Sequence, residues 1–427
     1  MFQLENAQSL FGVVAIIAFC WLLSECRGRF PWALALGGVA AQAVLVAILF
    51  GFPAARSVLA GAGSAVNGLA GATQQGVSFV FGFLAGAEGQ PYDVKNPGAM
   101  FIFAFRVLPV ILVICALSAL LWHWRILKWL TEGFGLMFQK TMGLRGAPAL
   151  ATAATIFMGQ VEGPIFIRSY LASLSRSELF MLLTVGMSCV SGSTVVAYAT
   201  ILQGLLPGIA AHVLTASVIS APAGVLLARI LVPRDPDAET PQALNLDTLK
   251  TYESSIDALI KGTSDGLQIA LNVGATLIVF VSIVALVNGL MGLAPPVAGA
   301  PLSVERILGL LFSPLAWAIG VPWREAPQAG AMLGLKLVLT EFRGFAYLAH
   351  PPGGPLSERT RLIMTYALCG FANIASAGIN VAGYNVLIPE RRGEVIGMVW
   401  KAMMGGFLAT CMTAAVVGAL PSALYGH

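Results

Sequence analysis

Residues 107–124, VLPVILVICALSALLWHW, hold eighteen positions in a row without an aspartate, glutamate, lysine or arginine. A helix needs about 20 apolar residues to cross a hydrocarbon layer roughly 30 Å thick. Runs of that kind recur along the chain. Lipid offers no water to open backbone groups, so only helices or a closed barrel can carry such runs. The alternating polar and apolar segments of a barrel are absent. Of the 427 residues, 57% are hydrophobic and 10% charged, against about 25% charged in a soluble domain. The sequence predicts an all-α polytopic membrane protein.

The apolar runs place about eight transmembrane helices, near residues 8–24, 30–51, 99–124, 178–203, 208–232, 265–291, 357–386 and 393–420. The stretch 54–88 is rich in Gly, Ala, Ser and Gln and reads as interfacial or enclosed in an assembly. The first run lacks a basic leader and a small-residue cleavage site, so it reads as a span rather than a removed signal peptide. Arg27, Arg29, Arg125, Lys128, Arg168, Arg176, Arg229, Arg234, Arg391 and Arg392 fall on one face if both termini lie outside. The rule that basic loops stay inside makes that face cytoplasmic and the termini periplasmic. The pattern closes only if residues 140–176 leave and return on the same side.

A helical hairpin does this, with Gly159-Gln160-Val161-Glu162-Gly163-Pro164 at its tip. The glycines permit a tight turn, and Pro164 suits the first turn of a following helix. Residues 303–350 repeat the pattern, an apolar run interrupted at Thr340-Glu341. Each hairpin precedes a span studded with small polar residues, GMSCVSGSTVVAY (186–198) and GFANIASAGINVAGY (370–384). Entry from opposite sides makes these two re-entrant helical hairpins an inverted repeat, and broken helices in matching positions of two halves point to a transporter's midplane site. Asn373, Ser376 and Asn380 are spaced to share one helical face.

A carboxylate at membrane depth costs at least ~2.5 kcal/mol. Glu162 and Glu341 therefore call for a ligand, an ion or a wet cavity. The structural alternative is ion pairing with Arg168 and Arg343, which would pin the hairpins. The six cysteines are scattered without metal spacing and read as free thiols. The net charge of +4 is too small for a nucleic-acid face. The four histidines (123, 212, 350, 427) form no HExxH and no GxSxG accompanies them, which argues against an enzyme. No cofactor is implied beyond a coupling ion.

At these residues the chain resembles the concentrative nucleoside transporters, in their bacterial form. GQVEGP is similar to the family's GQTEAP. HVLTASVISAPAGVLLARILVP (212–233), DGLQIALNVGATLIVFVSIVALVN (265–288), LLFSPLAWAIGVPW (310–323), LGLKLVLTEF (333–342) and LSERTRLIMTYALCGFANIASAGI (356–379) follow in family order. The resemblance implies a homotrimer in the bacterial inner membrane. Residues 1–98 would then supply scaffold spans and the interfacial segment, and 99–427 the transporter core. Hairpins near 146–175 and 303–350 and broken spans near 178–203 and 357–386 would enclose a nucleoside. By the same resemblance Gln160, Val161 and Glu162 face the nucleobase beside Thr194, Glu341, Asn373 and Ser376 hold the ribose, and Phe371 adds an aromatic contact.

Three positions depart from the family pattern: Val161 replaces Thr or Ser, Thr340 replaces Asn, and Arg343 replaces a small apolar residue. The coupling-ion site carried over by resemblance comprises Thr155, Met158, Cys189 and Val190. Sodium prefers oxygen ligands, and Cys189 offers a thiol. A proton on Glu162 or Glu341 is the competing coupling ion, and H+ is slightly favoured over Na+. The rival function is a nucleoside-binding membrane receptor, or a divergent transporter of a related ribosylated or nucleobase-like solute.

Overall fold

The computed structural model describes residues 4–85, 102–144, 146–160, 162–165, 167–202, 204–206, 208–234, 252–293, 295–296 and 301–421. All regular structure among the described residues is helical. α1 (Leu4–Leu22), α2 (Trp32–Gly51) and α3 (Pro53–Phe81) are followed by α4 (Phe103–Arg106), α5 (Leu108–His123) and α6 (Ile126–Met142). Next come α7 (Ala147–Met158), α8 (Glu162–Ile165), α9 (Arg168–Leu171), α10 (Arg176–Ser188), α11 (Gly192–Ile201), α12 (Ile209–Leu231) and α13 (Ser255–Met291). The chain continues with α14 (Val304–Ala318), α15 (Ala326–Val338), α16 (Glu341–Ala349), α17 (Glu358–Leu368), α18 (Ile374–Leu387) and α19 (Arg392–Ala419).

Six stretches among the described residues are long and apolar enough to cross a membrane: Glu5–Leu22, Trp32–Gly51, Phe103–His123, Ile209–Leu231, Ser255–Met291 and Pro389–Ala419. They coincide with six of the eight expected spans. The other two, 178–203 and 357–386, are each a pair of short helices, α10 with α11 and α17 with α18. The breaks have a local cause. Cys189 and Ser191 are extended, with ψ 171° and 155°. Asn373 is also extended, and its side chain accepts the N–H of Ser376 at 2.8 Å, which starts a new helix.

Two elements differ from the apolar pattern. α13 begins well ahead of residue 265, because Ser254 accepts the N–H of Asp257 at 3.1 Å and caps it. The Gly-rich stretch 54–88 is one continuous helix through Phe81, and residues 86–88 lie outside the described set. α6 has no counterpart among the expected elements, although its buried residues Thr131, Gly135, Phe138 and Met142 recur at helical spacing.

α12 and α19 lie at the centre, the most enclosed of these six stretches. α19 packs against α1, α10, α12, α17 and α18, and its 28 residues span roughly 40 Å. The two hairpins attach to its opposite ends. At the N-terminal end of α19, the Arg391 guanidinium donates to the carbonyls of Leu171 and Leu174 at 3.2 and 2.6 Å. Glu25 joins Arg176 at 2.9 Å and Lys401 at 3.3 Å there. At its C-terminal end, Arg359 donates to the carbonyls of Gly418 and Glu5 at 3.0 and 2.7 Å, and Ser357 donates its hydroxyl to Glu325 at 2.9 Å. Asn6 donates its side-chain amide to the Leu420 carbonyl at 2.9 Å, so α1 and the end of α19 meet there.

Segment 303–350 holds three helices. α14 and α15 form an antiparallel pair, with Gly309 against Pro327 and Gly330 against Gly309 and Ser313. The interruption at Leu339-Thr340 then separates α15 from α16.

Candidate functional site

Hairpin one turns at Gly159, whose φ of 123° only glycine adopts without strain. The chain then folds back on itself. A Cβ on Gly163 would lie 2.9 Å from the Cα of Thr155, so glycine is what lets α8 close against α7. Hairpin two turns at Thr340, which is extended, and delivers Glu341 as the first residue of α16.

The two tips and the two broken spans meet around one cavity of about 460 Å³. Gln160, Thr194, Glu341, Phe371, Asn373 and Ser376 all line it. Four helices begin at its wall: α8 after Gln160, α11 after Ser191, α16 at Glu341 and α18 after Asn373. The first-turn N–H donors and dipoles of α11, α16 and α18 favour acceptor-rich or negative groups in the space between them. The site is thus made from chain breaks, because continuous helices would bury those donors in their own backbones.

Glu341 is buried and held on both oxygens. Tyr198 donates its hydroxyl to Oε1 at 2.8 Å, and Asn373 donates Nδ2 to Oε2 at 2.7 Å. Arg343 is exposed and is not its partner, so the pinning ion pair does not form at hairpin two. Each carboxylate oxygen keeps a lone pair for a further donor. Across the cavity Asn380 donates Nδ2 to Gln160 Oε1 at 2.9 Å, tying hairpin one to the second broken span. Asn373, Ser376 and Asn380 do not form a single helical row, because Asn373 sits outside α18 as its cap.

Val161 lies outside the described residues, and Glu162, two residues past Gln160, is the first residue of α8. Of the expected ion ligands, Met158 lines the cavity. Thr155 donates its hydroxyl to the Ala151 carbonyl at 2.8 Å. The Cys189 thiol donates to Ser217 O at 3.5 Å, and the Val190 carbonyl accepts the Ser217 hydroxyl at 3.0 Å. Ser217 thus ties the first break to α12 through both residues.

Three site features escaped the sequence reading. Tyr198 looked like an ordinary span aromatic, although it stands one helical turn from Thr194. Lys336, wholly buried, donates to Ala367 O at 2.8 Å and Thr410 Oγ1 at 2.7 Å, and so fastens hairpin two to α17 and α19. The third is the far wall. α13 presents Asp265, Gln268, Asn272 and Thr276 to the cavity from within an otherwise apolar run.

Comparison with known proteins agrees with this geometry. The profile described as Na+ dependent nucleoside transporter C-terminus matches residues 212–418, its N-terminal counterpart 11–84, and the profile described as Gate, nucleoside recognition, 104–205. The chain is 38% identical to an uncharacterized transporter, YutK, of Bacillus subtilis, over 96% of this chain and 98% of that one. It is 34% identical to the nucleoside permease NupC of Helicobacter pylori, over 96% of each. The structure of CNTnw in an inward-facing substrate-bound state superposes with a TM-score of 0.89 at 34% identity, covering 97% of this chain and 98% of that one. The chain belongs to the concentrative nucleoside transporter family, a family of transporters rather than enzymes.

Proposed function

We propose that this protein imports nucleosides into a bacterial cell across the inner membrane, driven by an ion gradient, with a proton favoured over sodium. The observation that carries the reading is the convergence of Gln160, Thr194, Glu341, Asn373 and Ser376 on one cavity between two oppositely attached hairpins. The carboxamide of Gln160 offers the donor and acceptor that a base edge needs, and Glu341 accepts from ribose hydroxyls. Glu162 and Val161 complete the base side. Phe371 supplies an aromatic face.

The hairpins are re-entrant in this reading, and both termini are periplasmic. α7–α12 and α15–α19 move as a body past a scaffold of residues 1–98 with α5 and α13, within a homotrimer. Differential affinity of ion and nucleoside for the two orientations biases the cycle. The proton preference rests on Cys189, whose buried thiol is a poor ligand for a hard cation such as sodium. Sodium at Thr155, Met158, Cys189 and Val190 is the second reading, favoured by the family's description.

The test is uptake of labelled uridine and adenosine into liposomes, first under an imposed pH gradient and then under a Na+ gradient. Accumulation under the pH gradient is expected. Accumulation under Na+ alone would reverse the ion assignment, and none under either would defeat the transporter reading.

A further inference from the structure

α13 is a 37-residue helix that packs along α5 and exposes Leu267, Leu271, Ile278 and Val279 on its outer face. Asp265, Gln268, Asn272 and Thr276 are placed at successive intervals of three, four and four residues, which sets them in one row. All four line the cavity, facing the tips that carry Gln160 and Glu341. The row is about 16 Å long, from the helical rise. Asp265 forms no ion pair among the described residues. Gln268 Nε2 reaches Asn272 Oδ1 at only 3.4 Å, which leaves the other amide groups of that pair uncommitted. Polar side chains in a membrane helix are costly unless they face water or a polar solute. The site formed by the tips and broken spans does not use them.

We propose that this row is a second, weaker nucleoside subsite on the wall opposite the hairpins, occupied as substrate enters or leaves the primary site. The inference rests on the nucleoside reading above. The carboxamides of Gln268 and Asn272 supply both donors and acceptors to a base edge, Thr276 a hydroxyl of either role, and Asp265 acceptors for ribose hydroxyls. A nucleoside withdrawing from Glu341 and Asn373 exchanges their hydrogen bonds for those of α13 rather than crossing an apolar wall with its polar groups unpaired. The row therefore lowers the barrier to passage while adding little to equilibrium affinity.

The test compares the double variant Gln268→Leu/Asn272→Leu with its conservative partner Gln268→Asn/Asn272→Gln. Uridine affinity is measured by calorimetry on purified protein, and the maximal rate by liposome uptake. The leucine variant should bind uridine within about threefold of wild type yet transport about tenfold more slowly, the loss of roughly one hydrogen bond in the barrier. The conservative variant should recover at least half of the rate. An unchanged rate in the leucine variant overturns the inference. So does an affinity loss equal to the rate loss, which would make the row part of the primary site, and so does a conservative variant as slow as the leucine one. Wild-type protein that neither binds nor carries uridine would overturn the nucleoside reading itself.

Discussion

Asn380 donates its side-chain amide to Gln160 Oε1 at 2.9 Å, across 220 positions of sequence. The bond joins the tip of hairpin one to α18, so the hairpin tip is fixed to the second broken span. Asn380→Leu leaves the buried Gln160 carbonyl oxygen unpaired, a cost of about 1–3 kcal/mol. Uridine affinity, read by calorimetry, should fall about tenfold or more, while the variant still purifies as a folded membrane protein.

Tyr198→Phe removes the donor to Glu341 Oε1 and keeps the ring that packs on Phe342 and Phe345. The carboxylate becomes free to turn. Uridine affinity is expected to weaken by about 1 kcal/mol, the worth of one such bond. The melting temperature in detergent should stay within a few degrees of wild type.

Thr340 is the N-cap of α16, yet its side chain makes no capping bond and its buried hydroxyl has no partner. Since the hydroxyl does not stabilise the free protein, Thr340→Val should leave the melting temperature unchanged or raised. Differential scanning fluorimetry of the ligand-free protein reads this directly, and a large drop would show that the hydroxyl is engaged.

Lys336→Ala strips the ammonium from Ala367 O and Thr410 Oγ1 and opens a void at a wholly buried position. Loss of two buried hydrogen bonds and of the packed stem is expected to cost about 2–4 kcal/mol. A clearly lower melting temperature in detergent is the readout.

Much of this arrangement is legible in the sequence, and the parts that are not share a cause. The six continuous spans follow from apolar length alone. The breaks at Cys189–Ser191 and Asn373 follow from polar residues that compete with the helix for backbone groups. Gln160, Glu341, Asn373 and Ser376 stand out because they are polar where polarity is expensive. Tyr198 and Lys336 do not, since their partners Glu341, Ala367 and Thr410 lie far away in sequence. α6 was missed because its periodicity is amphipathic rather than apolar, and the α13 row because the apolar residues between its members mask it.

Glu25 ties three segments at the N-terminal end of α19. Burial alone would raise its carboxyl, but the hydrogen bond from Arg176 and the charge of Lys401 hold it below the ordinary glutamate range. A depressed carboxylate contributes stability above its unfolded value, near pH 4.3, and loses it as pH falls through the folded value. The group is largely exposed, so screening limits the effect to about 1 kcal/mol or less. Glu25→Gln should lower the melting temperature slightly at pH 7, and the difference from wild type should shrink as pH falls through the folded value.

The central claim is that the cavity between the hairpin tips binds a nucleoside through Glu341. Calorimetric titration of uridine into purified wild-type and Glu341→Gln protein tests it most directly. One uridine per chain is predicted for wild type, with affinity reduced about a hundredfold or more in the variant, as for a charge-assisted bond removed at a buried site. Equal affinity in the two proteins would contradict the account.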